Sequence, residues 1–264
     1  MAEPVVRVPC SVWRASGYAT GERTIPEETA VAFTYNTASY AVMMATPQDL
    51  EDFAVGFSLT EGVISAVDAI ESVEVVEEEI GIELRIWLKS PDAAEFLTRR
   101  RKMAGPTGCG LCGIESLTEA MRPPPQVRED LRVTPSEIMT AIESLFPLQA
   151  LNRETRAVHG AGFFDPARGL VAVREDVGRH NALDKLAGAL AREGTNAAKG
   201  IVVLTSRVSV EMVQKSAVIG APIIVAVSAP TALALRMAEA CGMTLVAVAR
   251  KDGFEVFTHP HRIS

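Results

Sequence analysis

The apolar positions of this chain follow two different regimes. From residue 31, VAFTYN and YAVMMA are rich in β-formers and separated by a short polar break, which predicts a hairpin. Leu50, Phe53, Ala54 and Phe57 then recur at helical spacing. A helix is expected there, with Thr46 as its N-cap, Pro47 at its first position and Gly62 as its stop. VEVV and IELRIWL alternate around an acidic turn containing Gly81 and predict a second hairpin. Ser90-Pro91 opens a further helix that ends in the basic run Arg99-Arg100-Arg101-Lys102. Residues 1–104 thus read as a smaller α+β domain.

The second regime begins after residue 125. Thr134-Pro135-Ser136-Glu137 has the capping-box form, in which a threonine hydroxyl and a glutamate carboxylate satisfy the orphan amides of a helix start, and a helix through Leu145 follows. Strand-like GAGFF and LVAVRE precede a helix from about Asn181 to Leu190. Strands IVVLT, PIIVAVS and TLVAVA then alternate with helices VEMVQKSAVIG and TALALRMAEACG, and EVFT closes the series. Continuous apolar strands separated by amphipathic helices predict an α/β domain over 126–264, with a mixed, largely parallel sheet covered on both faces. Residues 105–125 join the two regimes: four glycines surround Cys109 and Cys112, three prolines follow, and a flexible connection is expected.

Composition narrows the class. With 48% hydrophobic and 22% charged residues the chain can bury a core without disulfides. A formal charge of −7 argues against nucleic acid as a partner, because such binding needs a basic surface to displace counterions. The N-terminus lacks a signal-peptide pattern and no apolar stretch reaches the roughly 18 residues that span a bilayer, so a soluble, cytoplasmic protein without a membrane partner is expected. Four cysteines are present, and only Cys109 and Cys112 share a motif. Cys10 and Cys241 read as ordinary thiols. The basic run ahead of the loop is either a solvated helix end or a collar that lowers a thiol pKa.

Thr107-Gly108-Cys109-Gly110-Leu111-Cys112-Gly113 is the segment richest in chemistry. Glycines let the backbone project a thiolate toward a bulky partner, and two thiols three residues apart can exchange a persulfide or close a disulfide. Residue types alone leave three readings open: half of a structural zinc site, a redox dithiol, or sulfur chemistry. Zinc needs four ligands, and no second CxxC or HxxxH pair exists; His159 and His180 would complete a site only by tertiary coincidence. A thioredoxin-like dithiol sits where a strand enters a helix, not in a connection between domains.

TGCGLCGIESL, VHGAGFFD, VAVREDVGRHNALDKL and the long stretch from SRVSVEMVQKSAV to MTLVAVAR resemble the formate dehydrogenase accessory sulfurtransferase family, as does TPQDLEDFAVGFSLTEGVI nearer the N-terminus. The resemblance runs from about residue 25 onward. It implies a protein that takes persulfide sulfur from a cysteine desulfurase and gives it to a molybdenum or tungsten bis-guanine-dinucleotide cofactor, as formate dehydrogenase and its catalytic subunit require. It further implies Cys109 as the persulfide carrier with Cys112 assisting, a cytidine-deaminase-like three-layer C-terminal domain, and a homodimer. Deaminase chemistry itself is not supported, since that needs a zinc-binding HxE before PCxxC, and His159 is followed by Gly160-Ala161. The alternative is a non-catalytic carrier of the finished cofactor with a structural or zinc-binding CxxC; no permanently bound metal is expected.

Such a cofactor brings pyrophosphates, which suit helix N-termini. Three strand-to-helix junctions qualify: Glu175 to Asn181, Thr205 to Ser209, and Ser228 to Thr231. Candidate binding residues there are Asp176, as an acceptor for a guanine edge or ribose hydroxyl, with His180, Arg207, Ser209 and Ser228. The bland reading of each serine is a helix cap, and of His180 a structural histidine. The resemblance adds Val248, Ala249, Arg250, Lys251, Asp252 and Gly253 after the last long strand.

Overall fold

The computed structural model describes residues 3–89 and 121–264. Cys109, Cys112, the helix expected from Ser90-Pro91 and the basic run lie outside the described residues.

Strands β3 (Thr29–Tyr35) and β4 (Ala38–Ala45) form the first expected hairpin, and β5 (Ile70–Glu78) and β6 (Gly81–Leu88) the second. They join into one sheet of order β4-β3-β6-β5, in which β3 and β6 run parallel. Helix α1 (Leu50–Thr60) covers it. Val31, Phe33, Leu84 and Ile86 from the sheet meet Phe53 and Phe57 from the helix in one buried cluster. Phe33 stacks on Phe57 with ring centroids 4.1 Å apart.

The start of α1 differs from expectation: its N-cap is Asp49, in the left-handed region at φ 54°, and not Thr46. Thr46 is held by the other half of the chain. Its hydroxyl accepts from Val177 N at 3.2 Å and its carbonyl from Lys185 Nζ at 2.8 Å, which keeps this segment out of the helix until Leu50. The sequence also gave no sign of β1 (Val5–Arg14) and β2 (Gly17–Pro26), an antiparallel ribbon separate from both larger sheets. Trp13 and Tyr18 pair near its tip, and Arg23 reaches the carbonyl of Thr155 at 3.3 Å.

The second half contains α2 (Pro135–Leu148) and the short α3 (Ala150–Thr155), then β7 (His159–Asp165), β8 (Gly169–Asp176) and α4 (Arg179–Arg192). After these come β9 (Ile201–Leu204), α5 (Val210–Val218), β10 (Ile223–Ala226), α6 (Ala232–Cys241), β11 (Thr244–Arg250) and β12 (Gly253–Thr258). The capping box at Thr134 and Glu137 forms with both reciprocal bonds. The six strands lie in the order β12-β11-β10-β9-β7-β8. Neighbours β9, β10 and β11 are parallel, while β7 is antiparallel to β9 and β8, and β12 to β11. The fold is therefore mixed α/β with mixed sheets.

Helices α4, α5 and α6 cover one face through Leu183, Leu186, Met212 and Met237, and α2 covers the other through Ile138, Ile142 and Leu145. Along β9, Ile201 and Val203 join the α2 side and Val202 and Leu204 the other, so both faces are buried and the strand reads as one apolar run. The two halves meet where α1 crosses α4. A Cβ on Gly56 would stand 1.7 Å from the carbonyl oxygen of Asp184, and one on Gly188 would stand 1.9 Å from that of Asp52. Only glycine lets these backbones touch at both points. Among the described residues, no helix is long and apolar enough to cross a membrane.

Candidate functional site

Because β8, β9, β10 and β11 point the same way and β7 points the opposite way, one edge of the large sheet gathers four strand exits and the start of β7. His159, Asp176, the starts of α4, α5 and α6, and the β11–β12 turn all lie on it. The expected binding residues therefore converge on one edge, as ligand sites in α/β sheets do. Backbone bonds zip the exits together. Val208 N donates to Ala229 O at 3.3 Å, Thr231 N to Val208 O at 2.9 Å, and Val248 N to Ser228 O at 3.2 Å.

The chemistry along this edge divides into a closed cluster and an open one. In the closed cluster Asp176 is fully buried and its carboxylate has four donors. Oδ1 accepts from Gly178 N at 2.7 Å and Asn181 Nδ2 at 2.9 Å; Oδ2 accepts from Thr46 N at 3.0 Å and Lys185 Nζ at 2.7 Å. A carboxylate offers about four acceptor positions, and all are filled from within the fold. Asp176 thus ties α4 to the segment between β4 and α1 and leaves no acceptor free for a ligand.

The open cluster lies between the starts of α4 and α5. His180 Nε2 stands 3.9 Å from Glu211 Oε2, with side chains 15% and 13% exposed. Both atoms, together with Arg179 Nε and Ser209 Oγ, are shielded from solvent and have no hydrogen-bond partner. Buried polar atoms are nearly always paired, and although the Gln149 amide and the Ser216 hydroxyl also lack partners, these four atoms are gathered at neighbouring helix starts, an arrangement that suits another molecule or ordered water. Burial first, then the Arg179 and Arg207 cations, keep the His159 imidazole below its ordinary 6.5. Ser209 is the N-cap residue of α5 by position, but its hydroxyl makes no capping bond; Thr231 does cap α6, accepting from Ala234 N.

At the third part of the edge β11 slips register against β12 between Ala247 and Arg250. Val248 takes φ 52° there, a left-handed conformation that β-branched residues rarely adopt. Such strain persists only where the surroundings enforce it, and it clusters at functional sites. Ala249 is buried, whereas Arg250, Lys251 and Asp252 are exposed at the turn before Gly253. Arg207 is exposed and Ser228 half-buried.

Arg179 belongs to the polar run from Asp176 to Asn181 that the sequence marks at the exit of β8, whereas sequence reasoning did not single out Glu211; an acid in a first helical turn reads as ordinary dipole pairing. It also missed a second buried lysine. Lys215 on α5 bonds Asp184 Oδ1 at 2.9 Å, Glu61 at 2.6 Å and Thr60 Oγ1 at 3.0 Å. Burial disfavours that cation, but the Asp184 and Glu61 carboxylates more than reverse the effect, leaving its pKa above the ordinary lysine value. Burial pushes the Cys241 thiol up, which suits an inert packing residue. A cavity of about 540 Å³ lies toward the far ends of α4 and α5, beside Ala187, Leu190 and Val218, and contains none of the expected site residues. Among the described residues no group of three or more His, Cys, Asp or Glu side chains is placed to hold a metal ion.

The family model for the FdhD/NarQ family matches residues 26–264. Among curated relatives, a protein named sulfur carrier protein FdhD from Agrobacterium fabrum is 55% identical over 258 residues, covering 97% of this chain and 95% of its own. One of the same name from Brucella abortus is 53% identical over 251 residues, covering 95% and 93%. The crystal structure of a protein from Desulfotalea psychrophila, assigned as a formate dehydrogenase accessory protein, superposes with a TM-score of 0.75 at 27% identity, over 98% of this chain and 99% of that one. With sequence, fold and relatives matched over nearly its whole length, the chain belongs to the FdhD/NarQ family.

Proposed function

We propose that this protein is a cytoplasmic sulfurtransferase for formate dehydrogenase maturation, carrying sulfur as a persulfide on Cys109 and handing it to a molybdenum or tungsten bis-guanine-dinucleotide cofactor bound as substrate at the sheet edge. The observation that carries the reading is the edge itself. Strand exits and helix starts converge with shielded polar atoms that nothing in the fold satisfies, in a chain whose relatives are named sulfur carriers. The donor set fits the cargo. Arg179, Arg207, His180 and the starts of α4 and α6 suit pyrophosphate oxygens, and Arg250 and Lys251 stand at the β11 exit. Strand order β8-β7-β9-β10-β11, with one antiparallel strand among four that run together, supports a cytidine-deaminase-like C-terminal fold.

In the first step the Cys109 thiolate attacks the outer sulfur of a cysteine desulfurase persulfide. A new S–S bond forms on Cys109, and the desulfurase cysteine leaves as thiolate. Cys112 assists by resolving or protecting the persulfide. Transfer of the outer, sulfane-level sulfur to the cofactor would break the S–S bond and release Cys109 as thiolate, and the two electrons that turn that sulfur into a bound sulfide would come from the cofactor's own metal. The protein acts as a homodimer and meets the catalytic subunit of formate dehydrogenase.

Incubation with a cysteine desulfurase and ³⁵S-cysteine tests this. Label on the wild type that disappears in Cys109→Ala is the expected result. No label on the wild type, or equal label on the variant, would overturn the assignment.

A further inference from the structure

The ribbon of β1 and β2 buries almost nothing. No residue from Val5 to Pro26 is fully buried, and its packing on the rest of the chain centres on the short helix α3. A two-stranded ribbon is marginally stable in water and needs a further layer to hold it. Alternation sorts its side chains into two faces. The register, which opposes Val6 to Ile25, Cys10 to Gly21 and Val12 to Ala19, puts Val6, Val8, Cys10, Val12, Ala19 and Ile25 on one of them. That face is apolar, and Val6 and Ile25 are 39% and 37% exposed.

The four-stranded sheet has the converse shortage. Helix α1 covers one of its faces. On the other, Ala32 pairs with Val42 and Ala30 with Met44, and Val76 and Trp87 join them across β6. Val42 and Met44 are 51% and 50% exposed, so this face stands open. The ribbon and the sheet also differ in charge. Val5–Pro26 contains three arginines and one glutamate, whereas Ile70–Leu88 contains six glutamates and one arginine. Interfaces pair surfaces of opposite potential. A chain's own ribbon leans on α3 and leaves its sheet open, so the ribbon that matches the sheet is that of a second copy. The area is sufficient. A face of two ten-residue strands is about 33 Å long and about 10 Å wide, and two ribbons on two sheets hide four such faces, roughly 1,300 Å², within the range of stable interfaces.

We propose that the chain dimerises by exchanging arms, the apolar face of each β1–β2 ribbon seating on the open face of the β4-β3-β6-β5 sheet of a second copy. Two reciprocal contacts about a twofold axis close the assembly at two chains. This rests on the homodimer reading above and names the surfaces that make the dimer. The seat borders the candidate site, since the Met44 carbonyl accepts from Asn181 Nδ2 at 2.8 Å and so adjoins the start of α4.

Sedimentation velocity on the full chain tests the proposal. Wild-type protein should have the mass of two chains. Val12→Asp in the arm and Val42→Asp in the seat should each raise the dissociation constant at least about a hundredfold, because each carries a carboxylate into an apolar contact. A wild type with the mass of one chain would overturn both the exchange and the homodimer reading. A dimer that survives both substitutions would overturn the exchange alone. Cross-linking gives a readout that does not depend on how the aspartate variants fold. A flexible bismaleimide added to Val42→Cys protein should give a two-chain band on a denaturing gel that vanishes when Cys10→Ser is introduced as well. Absence of a two-chain band that depends on Cys10 would overturn the arm exchange.

Discussion

Two polar clusters sit within one turn of each other at the start of α4, and they are finished to different degrees. Around Asp176 every hydrogen-bonding position is filled: Lys185, Asn181, Gly178 and Thr46 satisfy the carboxylate, and Lys185 also meets the Thr46 carbonyl and the face of Phe53. Around His180, Arg179, Ser209 and Glu211, the atoms are as well hidden from water but lack partners. The same helix start thus supplies an internal clasp on one side and an unsatisfied surface on the other. Burial of a polar group alone does not distinguish structure from site; the state of its partners does.

The sharpest way to break the comparison is to unbalance the closed cluster. Lys185→Met leaves the Asp176 carboxylate buried beside neutral donors only, and a broken buried ion pair costs about 3–5 kcal/mol. Urea unfolding should show a loss of that size, with a midpoint shift that nucleotide does not restore. In the open cluster, Ser209→Ala removes a hydroxyl that has no partner in the free protein, so stability should change by less than about 0.5 kcal/mol. Nucleotide affinity should nevertheless fall. A large stability loss in Ser209→Ala would erase the distinction between the clusters.

The smallest effect is a pH dependence. The His159 imidazole is held below its ordinary 6.5 by burial and by Arg179 and Arg207, so the unfolded chain binds this proton more readily than the folded one. The sign follows from linkage. Above about 6.5 both states are neutral and the residue has no effect. As pH falls below that value the unfolded state gains protons first and stability declines, levelling off below the depressed folded value. Thermal melts of wild type and His159→Gln across pH 5 to 8 should diverge on the acid side, with the variant flatter. Parallel curves would remove His159 from the edge's electrostatics.

Much of the second half was legible from the sequence because its physics is local and repetitive. Apolar strands alternate with amphipathic helices, Thr134 and Glu137 spell a capping box, and Thr231 and Gly242 bracket α6. The candidate edge was legible for the same reason, since strand exits followed by helix starts can be read in order. Features that depend on the partner half were not. Thr46-Pro47 has the form of a helix start, but Thr46 is recruited by Val177 and Lys185, more than a hundred residues away in the chain. Asp176 and Ser209 show the limit within the site: each was a reasonable ligand candidate by type, and only their partners separate them. The β1–β2 ribbon has no strong alternation because it buries little on either face.

The glycine contact between α1 and α4 bears on how the molecule can be cut. The glycine-rich segment around the cysteines looks, from composition, like a natural place to divide the chain in two, and each piece would have its own sheet and core. Yet a fragment ending before that segment would expose α1 with Gly56 as the floor of an empty trench. A fragment beginning after it would carry Lys185 and Lys215 without Thr46, Thr60 or Glu61 to receive them. The boundary that composition marks along the chain is a change of pattern and not a gap in the packing, since each half buries polar groups that the other satisfies.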